Sequence, residues 1–231
     1  MPVTRAVRAV LFDFDYTLVD ATEGNLECLN AGLAAVGVPA VERAAGIAAT
    51  GLSLRELLHR FHGSVATQAV FERFAECFVR RADEVMLDHI VVYPEVPEVL
   101  QALRQQGLQL GIVSTKYRRR LEGVLARQQL DNYFSVLVGG DDVQQHKPHP
   151  EGLERAARAL QLPLEACLYV GDHAVDAEAA QRAGMPFVAV ATGFTPAAVW
   201  QRFPMLAVLE STRPLPAWLE RFRSGPPSTG R

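Results

Sequence analysis

The hydrophobic pattern of residues 95–191 alternates between short apolar runs and amphipathic segments with helical spacing. Apolar runs of four to eight residues are typical of buried strands, and apolar positions three and four apart are typical of helices. Strands that alternate with helices predict an α/β fold, in which helices cover both faces of a parallel sheet. The predicted strands are 7–13, 108–113, 134–138, 167–170 and 187–191, and the predicted helices are 95–106, 117–129, 150–161 and 174–183.

The pattern between the first two predicted strands is different. From Thr22 to His89 the apolar residues recur only at helical spacing, and the turn signals 37–39 and 62–64 divide the stretch into several helices. This stretch predicts an all-helical domain over 20–89, inserted into a core made of residues 1–19 and 90–223. The last residues, 224–231, are rich in Gly, Pro and Ser and predict a flexible tail.

Two carboxylates follow the first predicted strand, at Asp13 and Asp15. Because residues i and i+2 of a strand point the same way, both carboxylates can face one spot at the carboxyl end of that strand. Two adjacent carboxylates repel each other unless a cation lies between them or they share a proton. The pair therefore indicates a hard-cation site, an acid and nucleophile pair, or both, the alternative being a solvated acidic turn.

Polar residues also follow the later strands of the predicted sheet. Ser114 and Lys116 follow the second core strand, Lys147 lies after the third, and Asp172 and Asp176 follow the fourth. Ligands of open parallel sheets bind beyond the carboxyl ends of the strands. The spacing therefore predicts one site that contains several carboxylates, a hydroxyl and an ammonium group.

Composition excludes several classes of partner. A net charge of −3 gives no electrostatic basis for binding nucleic acid, and no apolar run approaches the roughly 20 residues that cross a bilayer. The three cysteines are scattered, which indicates buried thiols in a reducing compartment. The first twelve residues contain no long apolar stretch of the kind that marks a signal peptide. We therefore expect a soluble, cytoplasmic protein that binds neither nucleic acid nor membrane and is a monomer or homodimer.

Lysine is rare in this chain. Only Lys116 and Lys147 are lysines among 23 basic residues, and the others are arginines. A chain with such a bias retains lysine where a planar guanidinium does not fit, and both lysines follow apolar runs. The rarity of lysine therefore supports a role for both in the predicted site, the alternative being chance survival under the compositional bias.

Four motifs resemble those of the haloacid dehalogenase-like superfamily, and they occur in the expected order over nearly the whole chain. The motifs are Asp13-x-Asp15-x-Thr17, Ser114, Lys147-Pro148, and Gly171-Asp172 followed by Asp176. The resemblance implies a Rossmann-like core, with the inserted helices of residues 20–89 as a cap domain. It also implies a Mg²⁺-dependent phosphatase. One position departs from the family pattern, because Tyr16 stands where Gly is common. Either the turn there does not need a positive φ, or Tyr16 reshapes the mouth of the cavity.

The resemblance assigns a role to each residue at the core of the site. Asp13 would attack phosphorus and form an aspartyl-phosphate, and Asp15 would act as general acid and then as general base. Carboxylates of Asp13 and Asp172, with the backbone carbonyl of Asp15, would bind Mg²⁺. Lys147 would neutralise charge that develops on the transferred group.

The surrounding residues receive lesser roles. Ser114 and Thr115 would hold phosphoryl oxygens together with Lys147. Thr17, Lys116 and Asp176 would support the site. Thr17 as a turn residue and Asp176 as a helix N-cap have purely structural alternatives, and Lys116 has the alternative of a solvated residue at a helix N-terminus.

The second acid, Asp15, favours phosphoryl transfer, because dehalogenases and phosphonate-cleaving relatives lack it. The segment around Arg55 in the cap resembles the substrate loop of phosphoglycolate phosphatases, whereas the plain alternative for Arg55 is a helix-surface arginine paired with a nearby acid. The cap has six arginines and ten acidic residues, which disfavours a highly anionic polymer as substrate. A small phosphorylated metabolite such as phosphoglycolate is the first expectation. The alternatives are an inorganic pyrophosphatase, a phosphomutase, or a receiver-like phosphate-sensing module.

Overall fold

A computed structural model describes residues 7–50, 52–63 and 66–225 of the chain. The chain forms two compact units. One contains the residues up to Val19 together with those from Val92 onward, and the other is Asp20–Val91. The observed boundaries lie at 19/20 and 91/92, compared with 19/20 and 89/90 in the prediction from sequence.

The larger unit is built on a six-stranded sheet in which every pair of neighbouring strands is parallel. Its strands are rich in Val and Leu, and the central strands are buried over most of their length, as expected for a sheet covered on both faces. The strands are β1 (Ala9–Phe12), β4 (Gln109–Val113), β5 (Val136–Val138), β6 (Cys167–Gly171), β7 (Phe187–Val190) and β8 (Ala207–Leu209). The observed α/β architecture confirms the predicted fold class.

Helices alternate with the strands of this sheet along the chain. They are α5 (Val96–Gln105), α6 (Arg118–Arg127), α7 (Glu151–Ala159), α8 (Ala174–Ala183), α9 (Ala197–Trp200) and α10 (Leu215–Ser224). A hydrophobic cluster that includes Leu11, Val113 and Tyr169 of the strands packs against Leu153 of α7 and Ala180 of α8. This cluster fixes the carboxyl ends of the central strands, where the predicted site residues lie.

The order of the strands reverses at β1. The sheet runs β5-β4-β1-β6-β7-β8, so the chain passes outward from β1 through β4 to β5 and then returns to β6 on the other side of β1. In doubly wound sheets this reversal opens a crevice beyond the carboxyl ends of the two strands that flank it. The topology therefore places the crevice beside Asp13, which follows β1, and Asp172, which follows β6.

The second unit is helical. It contains α1 (Thr22–Ala35), α2 (Arg43–Ile47), α3 (Leu54–His62) and α4 (Gln68–His89). Leu33, Leu58 and Phe74 are almost completely buried in its own hydrophobic core. A capping box begins α3, because the Ser53 hydroxyl accepts from the Glu56 N–H while the Glu56 carboxylate accepts from the Ser53 N–H.

Several elements were not predicted from the sequence. The strands β2 (Val19–Asp20) and β3 (Val91–Val92) form a two-stranded sheet at the two points where the chain crosses between units. Strand β8 and the helices α9 and α10 were also missed, because two-residue or three-residue strands and proline-rich starts give weak periodicity. Helix α10 includes Ser224, so the predicted tail begins too early, and residues 226–231 lie outside the described part of the chain.

No α-helix in the described ranges has both the length and the apolar character that crossing a bilayer requires.

Candidate active site

The ends of three adjacent parallel strands bring the predicted site residues together. Asp13 follows β1 and continues its ladder, because its N–H donates to the Val170 carbonyl of β6 at 2.8 Å. Ser114 follows β4, and its N–H donates to the Val138 carbonyl of β5 at 3.0 Å. The side chains of Asp13, Ser114 and Asp172 are all buried, so the crevice presents polar groups in a region of low water content.

Three carboxylates form the centre of the site. One oxygen from each of Asp13, Asp172 and Asp176 lies within 4.8 Å of the others. Burial raises the pKa of Asp13 to about 6, against the lowering effect of the Lys147 ammonium. Burial, with the neighbouring carboxylates, also raises the pKa of Asp172 well above its usual range. A cluster of hard oxygen donors that repel one another when ionised fits a divalent cation such as Mg²⁺.

Lys147 neutralises part of this negative charge. Its ammonium donates to Asp13 Oδ1 at 2.8 Å, to Asp176 Oδ1 at 2.6 Å and to the Tyr169 hydroxyl at 3.0 Å. Burial by itself would lower the pKa of Lys147. The carboxylates of Asp13 and Asp176 have the larger effect and hold the pKa well above its usual range. Lys147 is therefore a permanent cation against the carboxylate of Asp13.

Tyr169 belongs to this network and was not predicted from the sequence. It lies on β6, it is completely buried, and its hydroxyl is 3.0 Å from both the Val113 carbonyl and Asp176 Oδ1. Burial raises the pKa of the phenol well above its usual range, so the hydroxyl stays protonated. A signal was present, because a buried tyrosine in an otherwise aliphatic strand needs a partner for its hydroxyl.

A second ion pair lies beside the carboxylate cluster. The Lys116 ammonium is 3.2 Å from Asp15 Oδ2, and the lysine side chain is only 4% exposed. The other oxygen, Asp15 Oδ1, is buried and has no hydrogen-bond partner among the residues that the structure describes. Ser114 is close to this pair through its neighbour, since the Ser114 hydroxyl accepts from the Lys116 N–H at 3.2 Å. The solvated alternative for Lys116 is therefore wrong.

Thr17 contacts the carboxylate cluster, and Asp176 belongs to it. The Thr17 hydroxyl donates to Asp172 Oδ1 at 3.0 Å and is completely buried. Asp176 Oδ2 accepts from the His173 N–H at 3.0 Å, in a capping box at the start of α8. The N-cap of α8 is His173 and Asp176 is the third residue of the helix, so the expectation that Asp176 is the N-cap is wrong. Asp176 combines this structural function in the capping box with direct contact to Lys147.

Thr115 and Arg55 differ from the residues above because both are exposed. Thr115 is exposed beside Ser114. Arg55 belongs to the helical unit, where its guanidinium donates to Gln68 Oε1 at 3.2 Å and lies 3.9 Å from the centre of the Phe71 ring. Arg55 is exposed. Instead of pairing with a nearby acid, its guanidinium stacks on the Phe71 ring and donates to Gln68. The assignment of both residues to substrate binding remains a prediction.

The loop that carries Ser114 and Thr115 is tied to the loop after β5. Arg118, at the start of α6, forms an ion pair with Asp142 at 2.8 Å, and its N–H donates to Asp141 Oδ1 at 2.7 Å. The Gly140 N–H donates to the Lys116 carbonyl at 2.9 Å. A Cβ on Gly140 would be 2.3 Å from the Thr115 carbonyl oxygen, so only glycine permits this approach.

The Asp142 contacts give a pH-dependent stability that can be measured. Burial opposes ionisation, but the Gly139 N–H and the Arg118 guanidinium outweigh it and hold the pKa of Asp142 below its usual value. A lowered folded-state pKa stabilises the fold above the unfolded-state pKa of about 3.9, and the gain is lost as pH falls through the folded-state pKa. We expect Asp142→Asn to lower the free energy of unfolding at pH 7 by on the order of 1 kcal/mol.

Urea unfolding at several pH values between 7 and 3 measures this effect. The difference between wild type and Asp142→Asn should shrink steadily below pH 4. Glu98→Gln, at an exposed position of α5, is the matched control and should show little difference at pH 7. A destabilisation by Asp142→Asn that is constant with pH would show that charge is not its cause.

Comparison with known proteins agrees with this geometry. The model of the haloacid dehalogenase-like hydrolase family matches residues 10–190, which include β6, all but the first residue of β1, and all four motifs.

The chain belongs to this family.

Curated relatives include two named phosphoglycolate phosphatases. One, from Photorhabdus laumondii, is 33% identical over 204 residues and 83% of each chain is covered. The other, a plasmid-encoded protein of Cupriavidus necator, is 34% identical over 232 residues, with 94% of this chain and 95% of the relative covered. The crystal structure of a Bacteroides fragilis protein described as a haloacid dehalogenase-like hydrolase is 33% identical, with a TM-score of 0.86 over 90% of this chain and 99% of that one.

Tyr16 shows how this member of the haloacid dehalogenase-like hydrolases departs from the common pattern. Its φ is +60°, so the turn adopts the left-handed conformation, and the alternative in which the turn does not need a positive φ is wrong. A residue with a side chain pays about 1–2 kcal/mol for this conformation. The residue is only 2% exposed, and its ring meets the Phe194 ring edge-on with centroids 5.1 Å apart. Burial of the Tyr16 ring offsets the free-energy cost of the left-handed backbone conformation.

The segment after β7 contacts the turn at Tyr16. The sequence did not predict that this segment belongs to the site. The Thr192 hydroxyl donates to the Tyr16 carbonyl. Gly193 lies directly against Asp172, because a Cβ at that position would be 1.9 Å from Asp172 Oδ2. Residues 192–194 therefore form a fifth segment of the site, beside the four that carry the family motifs.

Proposed function

We propose that this phosphoric monoester hydrolase acts on a small phosphorylated metabolite, phosphoglycolate or a close analogue, with Mg²⁺ and through an aspartyl-phosphate. One observation carries the proposal. The buried carboxylates of Asp13, Asp172 and Asp176 lie within 4.8 Å of one another, and a permanent ammonium donates to Asp13 at 2.8 Å. This arrangement fits a carboxylate nucleophile whose negative charge is offset by cations on both sides.

Asp13 is the proposed nucleophile. Its pKa of about 6 leaves it ionised at neutral pH, so an oxygen lone pair is available to attack phosphorus. In the first step the new bond joins the carboxylate oxygen to phosphorus while the bond from phosphorus to the ester oxygen breaks. In the second step water attacks phosphorus, releases phosphate and regenerates the carboxylate. Lys147 stays close to Asp13 and offsets the charge of the transferred group.

Asp15 is the proposed general acid and base. Its Oδ2 is held by Lys116, whereas its Oδ1 is buried and has no hydrogen-bond partner in the described chain. An oxygen with no internal partner can hold the proton that the leaving alkoxide takes in the first step. The same oxygen can remove a proton from the attacking water in the second step.

The donor set fits Mg²⁺. Asp13 and Asp172, with the backbone carbonyl of Asp15, would hold the ion. Asp176 is the weaker candidate, because its Oδ1 is engaged by Lys147 and its Oδ2 by the His173 N–H. When bound, the ion supplies positive charge that offsets the dianionic phosphoryl group.

The choice of substrate follows from the relatives and from the cap. Both of the curated relatives described above are named phosphoglycolate phosphatases, and each covers at least 83% of this chain. Phosphoglycolate carries a carboxylate besides the phosphoryl group, and an exposed guanidinium is a suitable partner for a carboxylate. Arg55 is held against Phe71 at 3.9 Å but remains exposed, so we propose that it contacts the carboxylate of the substrate.

A substrate panel tests this proposal. Phosphate release is measured from phosphoglycolate, ethyl phosphate, pyrophosphate and p-nitrophenyl phosphate, for wild type and Arg55→Gln. We expect phosphoglycolate to have the highest kcat/KM in wild type. Arg55→Gln should lower kcat/KM for phosphoglycolate about tenfold, the equivalent of one lost charged contact, and should leave ethyl phosphate unchanged.

Arg60→Gln provides the matched control, because Arg60 is also an exposed arginine of α3 and lies near an aromatic ring, that of Phe61. It should leave both substrates unaffected. Equal losses in Arg55→Gln for phosphoglycolate and ethyl phosphate would overturn the carboxylate contact. Preference for pyrophosphate, or transfer without net release of phosphate, would replace the proposed substrate with a pyrophosphatase or phosphomutase activity.

A further inference from the structure

The ammonium of Lys147 has no spare donor. An ammonium group has three N–H bonds, and those of Lys147 have three acceptors, Asp13 Oδ1, Asp176 Oδ1 and the Tyr169 hydroxyl. The three directions are fixed by the tetrahedral nitrogen. Two of the bonds therefore determine where the third one points.

Only one of the three acceptors is a proposed reacting group. Asp13 attacks phosphorus in the proposed function, whereas Asp176 and Tyr169 are held in place by the fold. Asp176 is completely buried in the capping box of α8, where its Oδ2 accepts from the His173 N–H. The two anchors thus lie on separate elements, α8 and β6.

Tyr169 is held in place on β6, as Asp176 is held in place in α8. The residue is completely buried in β6, and its hydroxyl lies 3.0 Å from the carbonyl of Val113, the last residue of β4, which is separated from β6 in the sheet only by β1. The hydroxyl accepts from Lys147 and has one proton to donate, either to Val113 or to Asp176 Oδ1. Its oxygen therefore stays in one place, on a rigid part of the sheet.

We infer that Tyr169 is a positioning residue that aims the third N–H bond of Lys147 at Asp13 and at the phosphoryl group that Asp13 accepts. The inference rests on the role of Lys147 in the proposed function, but it does not depend on which phosphomonoester is the substrate. Without the hydroxyl, one N–H bond loses its acceptor and the ammonium can turn or shift towards Asp176. A small displacement of a group that offsets transition-state charge reduces kcat more than it reduces binding.

The test compares Tyr169→Phe with wild type. Phenylalanine keeps the ring and its packing and removes only the hydroxyl. With p-nitrophenyl phosphate and Mg²⁺, we expect kcat to fall about tenfold or more while KM changes less than about threefold. In a crystal structure of the variant, the Lys147 ammonium should be displaced from its 2.8 Å contact with Asp13.

Two further variants separate the possible outcomes. Leu219→Val changes a completely buried residue of α10 and should lower the melting temperature while leaving kcat unchanged. Equal losses of kcat in Leu219→Val and Tyr169→Phe would reduce the role of Tyr169 to general stability and overturn the inference. So would an unchanged kcat in Tyr169→Phe, or a rise in KM alone.

Lys147→Met distinguishes failure of the inference from failure of the proposed function. If Lys147→Met abolishes turnover and Tyr169→Phe has no effect, the positioning role is wrong and the function of Lys147 stands. If Lys147→Met retains full turnover, the proposed function of Lys147 is wrong, and the inference fails with it.

Discussion

Asp13→Asn is expected to reduce kcat by at least about 10⁴-fold, because the amide has no anionic oxygen with which to attack phosphorus. Asparagine has nearly the same shape, so the buried site can keep its packing. The rate of phosphate release, measured with one substrate for both proteins, gives the loss of kcat. In a second experiment, wild type is mixed with substrate carrying a labelled phosphoryl group and quenched rapidly in acid. This should trap a phosphorylated protein that Asp13→Asn does not form.

The stability of Asp13→Asn provides the control. Burial raises the pKa of Asp13 to about 6, so its ionised form at pH 7 destabilises the fold when no cation is added. Removing that charge should leave the melting temperature unchanged or raise it. A folded Asp13→Asn with residual activity near that of wild type would exclude Asp13 as the nucleophile. A sharply lower melting temperature would instead show that the ionised Asp13 supports the fold.

Removal of Mg²⁺ is the second change with a large expected effect. Chelation should lower kcat by at least about 100-fold, since the buried carboxylates would then face a dianionic substrate without the ion. Added Mg²⁺ should also raise the melting temperature, because it relieves repulsion between Asp13 and Asp172. At a concentration of about 100 times Kd the stabilisation is about 2.7 kcal/mol.

Two variants make the metal experiment specific. Asp172→Asn should lose most of the Mg²⁺-dependent rise in melting temperature, and Glu98→Gln, at an exposed position of α5, should keep it. Calorimetric titration of Mg²⁺ into the chelated protein measures the same binding without any substrate. Full turnover in protein shown to be free of divalent metal would contradict the proposed role of the ion.

The centre of the site was predictable because each residue follows a strand. Asp13, Ser114 and Asp172 come directly after apolar runs, and in a parallel sheet such positions meet at one edge. Lys147 lies on a longer loop rather than directly after a strand. It was still predictable, because lysine is rare in this arginine-rich chain and because Pro148 follows it, as in the family motif. These features depend on chain order and on local pattern, which a single sequence contains.

Other parts depended on contacts that no local pattern contains. The role of Tyr169 requires the register that places β6 beside β1 and next but one to β4, which brings its hydroxyl to the Val113 carbonyl. The left-handed conformation of Tyr16 depends on Thr192 and Phe194, which are more than 170 residues away in the chain. Strand β8 has only three residues, too few to show a hydrophobic period. It is a strand because it pairs with β7, and that pairing cannot be read from its own sequence.

The scarcity of lysine makes this protein unusually simple to follow by NMR. Lys116 and Lys147 are the only lysines in the chain, and their side chains are 4% and 6% exposed, in contact with Asp15 and Asp13 respectively. Protein grown with ¹⁵N-labelled lysine should therefore give two ammonium resonances, one from each side of the site. Both groups should exchange protons slowly enough to be observed. The two signals would respond to changes in the charge of Asp15 and Asp13 during the reaction, with no mutation and no probe beyond the isotope.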